Sequence, residues 1–336
     1  MFSYGLAVVL CIRARLKSCP DTKPKHSIKR ASLVEISSIS HRRPVRIKLW
    51  LAFAALGLVW GTTWVASDNL AEQVPPLLAA AVRFLLAALL LLPVILLKRL
   101  KLPRGRSLRI VLLLAAAMIA LPVVLLLWAR QHVESATVTV SFAAMPLIVA
   151  LLTPGKAVPR SAQQAAIVAL GAMVLATGAP LRISQAAGAA VVLLAVASIG
   201  ASSLVARREL SNLSPLVATA GLLGAAAPLL VLARLVLERG QAAQWNSSAI
   251  GSVALLAVAT AAAYPVYFWL LQQLEAYQLA TVQWVQPLVA MAETAVFLRL
   301  RLSLSMIAGT VIALVCLWVV MRARPEDDDS VSLLGN

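Results

Sequence analysis

From Leu49 onward the chain alternates between apolar runs and short polar breaks. The runs are roughly 20 residues long, the length that crosses a bilayer as a helix. Ten of them are bounded by charge, Pro or Gly: 49–67, 77–97, 108–128, 135–152, 162–179, 187–206, 215–237, 249–271, 277–298 and 303–321. The pattern predicts an all-α integral membrane protein with ten transmembrane helices. The second run, "LLAAAVRFLLAALLLLPVILL", and the eighth are the most continuous. The fifth and sixth are rich in Ala and Gly, which let helices approach closely, so these two are expected in the bundle centre.

Composition agrees. With 61% hydrophobic and 13% charged residues, the chain lacks the polar surface that a soluble domain of this size needs. The formal charge of +17 raises the question of nucleic acid, and its distribution argues against it. Eleven Lys and Arg fall in residues 1–48, and most of the rest lie in gaps between apolar runs. That is a topology signal, with no basic groove implied. With a cytoplasmic N-terminus, inside segments hold Arg42, Arg43, Arg46 and Lys48; Lys98 to Arg109; Lys156 and Arg160; Arg207 and Arg208; Arg322 and Arg324. The outside loops hold Arg130, Arg182, Arg239, Arg299 and Arg301, with Arg234 near a helix end. Both termini are therefore expected inside. Residues 1–48 read as a basic, disordered tail, with a targeting segment or an upstream start as alternatives; 323–336 read as an acidic tail. Cys11, Cys19 and Cys316 form no metal-ligand or disulfide pattern, so no metal and no cofactor is expected.

The apolar part repeats. "WARQHVESATVTVSFAAMPL" aligns with "WLLQQLEAYQLATVQWVQPL", pairing Trp128, Gln131, Glu134, Pro146 and Leu147 with Trp269, Gln272, Glu275, Pro287 and Leu288. The offset is 141 residues at every match. Pro76 pairs with Pro215 and Gly171 with Gly309 at slightly shorter offsets. The halves are 49–180 and 187–322. Five helices per half is an odd number, so the halves are expected upside down relative to each other. Inverted repeats belong to alternating-access carriers that bind near the midplane, at the repeat interface.

"WGTTWVASDNLAEQVPPLLAAAVRFLLAALLLLP" resembles the first two helices of EamA-type members of the drug/metabolite transporter superfamily. Trp60-Gly61 and the run from Pro75-Pro76 to Arg83-Phe84 carry the resemblance. Proline inside the fourth and ninth helices and glycine inside the fifth and tenth agree. It covers about residues 49 to 322 and implies a five-plus-five secondary carrier in a bacterial inner membrane, with export as the commoner direction. The family often has Gly-Glu just after the fourth and ninth helices. Here those places read Gly155-Lys156 and Leu298-Arg299, so no role of that glutamate carries over.

Polar stripes at helical spacing locate a candidate site. Trp60, Thr63, Trp64 and Ser67 share a face of the first helix; Gln283, Gln286, Ala290 and Glu293 share one of the ninth, with Trp284 beside it. Thr260, Tyr264 and Tyr267 do so in the eighth, Thr137 and Ser141 in the fourth, Ser198 and Ser202 in the sixth. Such stripes turn away from lipid, toward a cavity or a neighbouring helix. The expected substrate-binding set is Trp60, Thr63, Trp64, Ser141, Tyr264, Tyr267, Gln283, Trp284 and Gln286. Arg83 and Glu293 are ionisable residues inside spans, at similar depth from the outer side, and are expected to gate or couple transport. The reading is a secondary carrier of a small amino-acid-like or drug-like metabolite, surrounded by lipid, with a coupling proton and a homodimer as open possibilities. A receptor or scaffold is the alternative. A membrane-embedded enzyme fits less well, because His26, His41 and His132 lie in the tail and a loop. No phosphate-binding loop supports direct ATP drive.

Overall fold

The computed structural model describes residues 47–63, 67, 70–153, 158–178, 183–297 and 303–323. The chain divides into two units, Met1–Lys48, described only at Ile47 and Lys48, and Leu49–Asn336. Residues 1–46 and 324–336 of the two expected tails, Trp64, Gly155-Lys156 and Leu298-Arg299 lie outside the described residues.

Among the described residues there is no strand. The helices in chain order are α1 Ile47–Thr63, α2 Pro76–Leu97, α3 Arg106–Ala129, α4 Ser135–Leu152, α5 Arg160–Thr177, α6 Ala186–Glu209, α7 Pro215–Leu237, α8 Ser247–Gln273, α9 Val282–Phe297 and α10 Leu304–Arg322. A single turn, Ala276–Ala280, leads into α9. Among the described residues, seven helices are long and apolar enough to cross a membrane: α2, α3, α4, α6, α7, α8 and α10. α1 and α9 are shorter, and α5 opens on the polar "RSAQQ". Leu89, Leu96, Leu232, Val236 and Leu255 are exposed on the outer faces, as fits a bundle whose solvent is hydrocarbon.

Local chemistry repeats between the halves. α2 and α7 both open on proline, whose missing N–H costs nothing in the first turn. Glu134 and Glu275 both stand at the N-cap position of the helical segment that follows, each at φ −66° and ψ 147°. Thr137 donates to Gln185 (2.6 Å), and its counterpart at the 141-residue offset, Gln278, donates to the Ala323 carbonyl (3.2 Å).

The prolines break helices at specific carbonyls. In α3 the segment Ala115–Ala120 widens into a π-helix just before Pro122. Proline removes one N–H and crowds a carbonyl one turn back, and the wider turn relieves both. The Ala117 carbonyl accepts from Ser198 Oγ of α6 at 2.6 Å. α4 is interrupted at Ala144, two residues before Pro146. There the Ala143 carbonyl accepts from Trp284 Nε1 of α9 at 2.8 Å.

Packing follows the same symmetry. α2 packs on α7, α5 on α10, and α4 on α9 and its leading turn. α3 meets α6 as α1 meets α8, and α2 meets α8 as α7 meets α3. Exchanging the first five helices with the second five maps the pattern onto itself. Small residues set the closest approaches. A Cβ on Gly309 of α10 would stand 2.5 Å from the Ala172 carbonyl oxygen and 2.6 Å from Ala176 N of α5. A Cβ on Gly57 or Gly61 of α1 would stand 2.6 Å from Val285 or Val289 of α9.

Candidate functional site

A cavity of about 320 Å³ lies between the halves. The first half lines it with Trp60, Thr63 and Ser67, Arg83 and Phe84, and Met118, Phe142 and Met145. The second half supplies Ile199, Leu256, Tyr264, Tyr267, Gln283 and Gln286. The lining runs to the bundle end that holds Leu70 to Pro76 and Arg130. It takes no described residue from the opposite end.

That opposite end is tied by polar contacts. The Arg207 guanidinium at the end of α6 makes a two-pronged ion pair with Glu275. Gln272 donates to the Leu213 carbonyl at 3.1 Å, and Arg106 pairs with Glu209 at 3.0 Å. At the lined end the buried Glu238 carboxylate, following α7, accepts from Leu77 N (2.7 Å) and Leu78 N (3.4 Å). This caps α2, where a negative charge suits the exposed amides of a helix start.

The walls are aromatic. Trp60 packs against Tyr264 and Tyr267, with ring centroids 5.8 and 5.5 Å away, and Phe84 meets Tyr264 edge-on at 6.5 Å. Gly61 lets α1 bring Trp60 this close, because Val289 and the Gln286 carbonyl occupy the space a side chain would take. Tyr267 is fixed at its far end by Ser203, 2.8 Å from its hydroxyl. Thr63 and Ser67 donate to carbonyls of their own helix, Trp60 and Thr63 respectively, both at 2.8 Å. Their oxygens remain acceptors. Gln286 Nε2 donates to Gln283 Oε1 at 2.6 Å.

Arg83 is the charged group set deepest in the wall. Its Nε donates to Thr260 Oγ1 of α8 at 2.7 Å, and Thr260 in turn donates to the Leu256 carbonyl at 2.6 Å. The guanidinium carbon stands 5.5 Å from the Phe84 ring centroid. Among the described lining residues the charged groups are Arg83 and Arg130, with no carboxylate.

The structure thus brings together Trp60, Thr63, Arg83, Tyr264, Tyr267, Gln283 and Gln286 of the expected set. Ser141 and Trp284 lie outside the lining. Ser141 is buried and donates to the Thr137 carbonyl of its own helix at 2.8 Å. Trp284 is 1% exposed and spends its indole N–H on Ala143. Glu293 is half-buried, about one turn from the end of α9, and is also outside the lining. Sequence reasoning missed Met118, Phe142 and Met145, whose apolar side chains carry no stripe signal. It also missed Glu238, whose partner lies 161 residues away. Thr260 was legible as part of the α8 stripe, but not as the hydroxyl that holds Arg83. Among the described residues no group of His, Cys, Asp and Glu is placed to hold a metal ion.

Residues 47–179 and 186–322 each match the model of the EamA-like transporter family. YoaV of Bacillus subtilis, described as an uncharacterized transporter, is 23% identical over 284 residues, which cover 82% of this chain and 97% of YoaV. An uncharacterized transporter of Buchnera aphidicola subsp. Schizaphis graminum is 30% identical over 110 residues, 32% of this chain and 36% of that protein. Protein PagO of Salmonella typhimurium is 29% identical over 106 residues, 31% of this chain and 34% of PagO. A crystal structure superposes with a TM-score of 0.70 at 16% identity, covering 82% of this chain and 98% of that one, and shows the same fold.

Proposed function

The chain belongs to the EamA-like transporter family, and on that premise we propose that this integral membrane transporter moves a small metabolite by alternating access, in the outward direction. Ten spanning helices in two inverted halves form the carrier, and both termini lie in the cytoplasm of a bacterial cell. One observation carries the reading. The cavity takes its walls from both halves and reaches one end of the bundle, while the other end is tied by Arg207–Glu275 and Gln272–Leu213. That is the arrangement of a carrier caught facing one side, with its site at the repeat interface. Two counterpart glutamines in different surroundings support it further. Gln272 is half-buried and hydrogen-bonded at the tied end, whereas Gln131 is exposed at the end the cavity reaches. Trp60, Thr63, Tyr264, Tyr267, Gln283 and Gln286 contact the substrate in this reading.

Comparing the metabolites in the medium of cells with and without the protein tests the proposal. Export gives at least one small compound whose appearance outside requires the protein and falls in Tyr264→Ala and Gln283→Ala. Identical profiles, or profiles that neither variant changes, would sink it.

A further inference from the structure

Resting on that reading of the cavity, we infer that the substrate is an organic monoanion: a single carboxylate on an aromatic or branched apolar body. The cation comes first. Arg83 uses Nε on Thr260, and among the described residues neither Nη group of the guanidinium has a hydrogen-bond acceptor. A guanidinium is always charged, and its two remaining N–H edges match the two oxygens of a carboxylate. A cation inside a membrane bundle is costly unless an anion meets it. No carboxylate does so from the described lining. The ligand is the source of negative charge that the cavity leaves open.

The Arg83 side chain is prepared for that contact. Thr260 is 1% exposed, and its hydroxyl is itself fixed on Leu256. One edge of the guanidinium is therefore held before a ligand arrives. The rest of the lining specifies the body. Trp60, Phe84, Phe142 and Tyr264 offer ring faces and edges within one space. A volume of about 320 Å³ admits a molecule of roughly one ring and a short chain. A free ammonium group finds no carboxylate in the described lining and the Arg83 charge instead, so a zwitterion or an amine is disfavoured against the corresponding acid.

The test uses the full chain in nanodiscs and four probes that share a phenylethyl-sized body: phenylacetate, phenylalanine, phenethylamine and 2-phenylethanol. Binding is read by tryptophan fluorescence, with Trp60→Phe to assign the signal to the cavity. Phenylacetate should bind at least tenfold more tightly than the other three. Arg83→Gln should bring it to the level of 2-phenylethanol. Should Arg83→Gln fail to fold, Thr260→Val keeps the charge, frees the guanidinium, and should cut the preference for the acid several-fold. If phenylalanine or phenethylamine binds as tightly as phenylacetate, the anion assignment falls while the cavity remains a binding site. If none of the four probes gives a signal that Trp60→Phe removes, the cavity reading falls with it.

Discussion

Helices α5 and α10 are counterparts in the two halves and lie against each other, and each carries a glycine at the matching place, Gly171 and Gly309. Their surroundings differ. A Cβ on Gly171 meets nothing within 4 Å, whereas one on Gly309 stands 2.5 Å from Ala172 O, 2.6 Å from Ala176 N and 3.0 Å from Ala176 Cα. All three are backbone atoms, so no rotamer change relieves the clash. Reaching ordinary contact requires α5 and α10 to part by about 1 Å, a gap that forfeits a quarter to a half of each dispersion contact across it. The affected interface includes Ala169, Ala172, Met173 and Ala176 on one side and Ala313, Leu317 and Val320 on the other. Overpacking of this kind costs about 1–3 kcal/mol. Glycine to alanine in a helix interior also gains up to about 1 kcal/mol of propensity. That gain is common to Gly171→Ala and Gly309→Ala, so the difference between the variants isolates the steric part. Gly309→Ala should be less stable than Gly171→Ala by about 1–3 kcal/mol. Chemical denaturation in one detergent, followed by far-ultraviolet circular dichroism, measures that difference. Equal stability of the two variants, or a more stable Gly309→Ala, would refute the close approach of α10 to α5.

Trp284→Phe keeps most of the ring volume but leaves the Ala143 carbonyl without its donor, so stability should fall by about 1–3 kcal/mol, measured in the same denaturation. A variant as stable as the parent would show that the bond contributes nothing. Cysteines placed at 71–75 should react with an impermeant reagent added to intact cells, and cysteines at 99–104 should not; the reverse pattern overturns the proposed orientation. In the state that closes the lined end, Arg83 and Glu293 are proposed to meet as a gate. The double variant Arg83→Glu with Glu293→Arg should then recover part of the transport lost in each single variant, and a double variant no better than the singles removes the gate.

The helices were legible because the apolar runs are continuous and charged or turn residues punctuate them; α2 begins and ends within one residue of its apolar run. The repeat was legible because Trp, Gln, Glu and Pro stand out against an aliphatic background. Trp60, Thr63, Tyr264, Tyr267, Gln283 and Gln286 were found together because a polar stripe must turn from lipid wherever the helix sits. What the stripe did not say was which neighbour it turns toward. Trp284 sits beside the Gln283–Gln286 face, and the interruption of α4 near Pro146 supplies a carbonyl that captures its indole N–H. The π-turn before Pro122 is legible as a kink, but its geometry depends on Ser198, 81 residues away. Gly57 and Gly61 form a small-xxx-small pair that announces a close contact; its partners, Val285 and Val289, come from the other end of the chain. Glu238 reads as an ordinary loop acid until α2 is placed above it.

The Arg83 charge, held on Thr260 with no acid in the described lining, bears on how voltage acts on the transport cycle. On the proposed reading, the Arg83 centre would be electrically neutral when an anion is bound and would carry one positive charge when empty. One elementary charge moved through the whole field gains about 2.3 kcal/mol per 100 mV, which is roughly a fiftyfold bias in population. With the cell interior negative, that bias would fall on the empty site and draw it inward, while the loaded site would cross without feeling the field. The resting potential would then reset an exporter after each release, and its turnover would fall on depolarisation even with no ion travelling alongside the substrate.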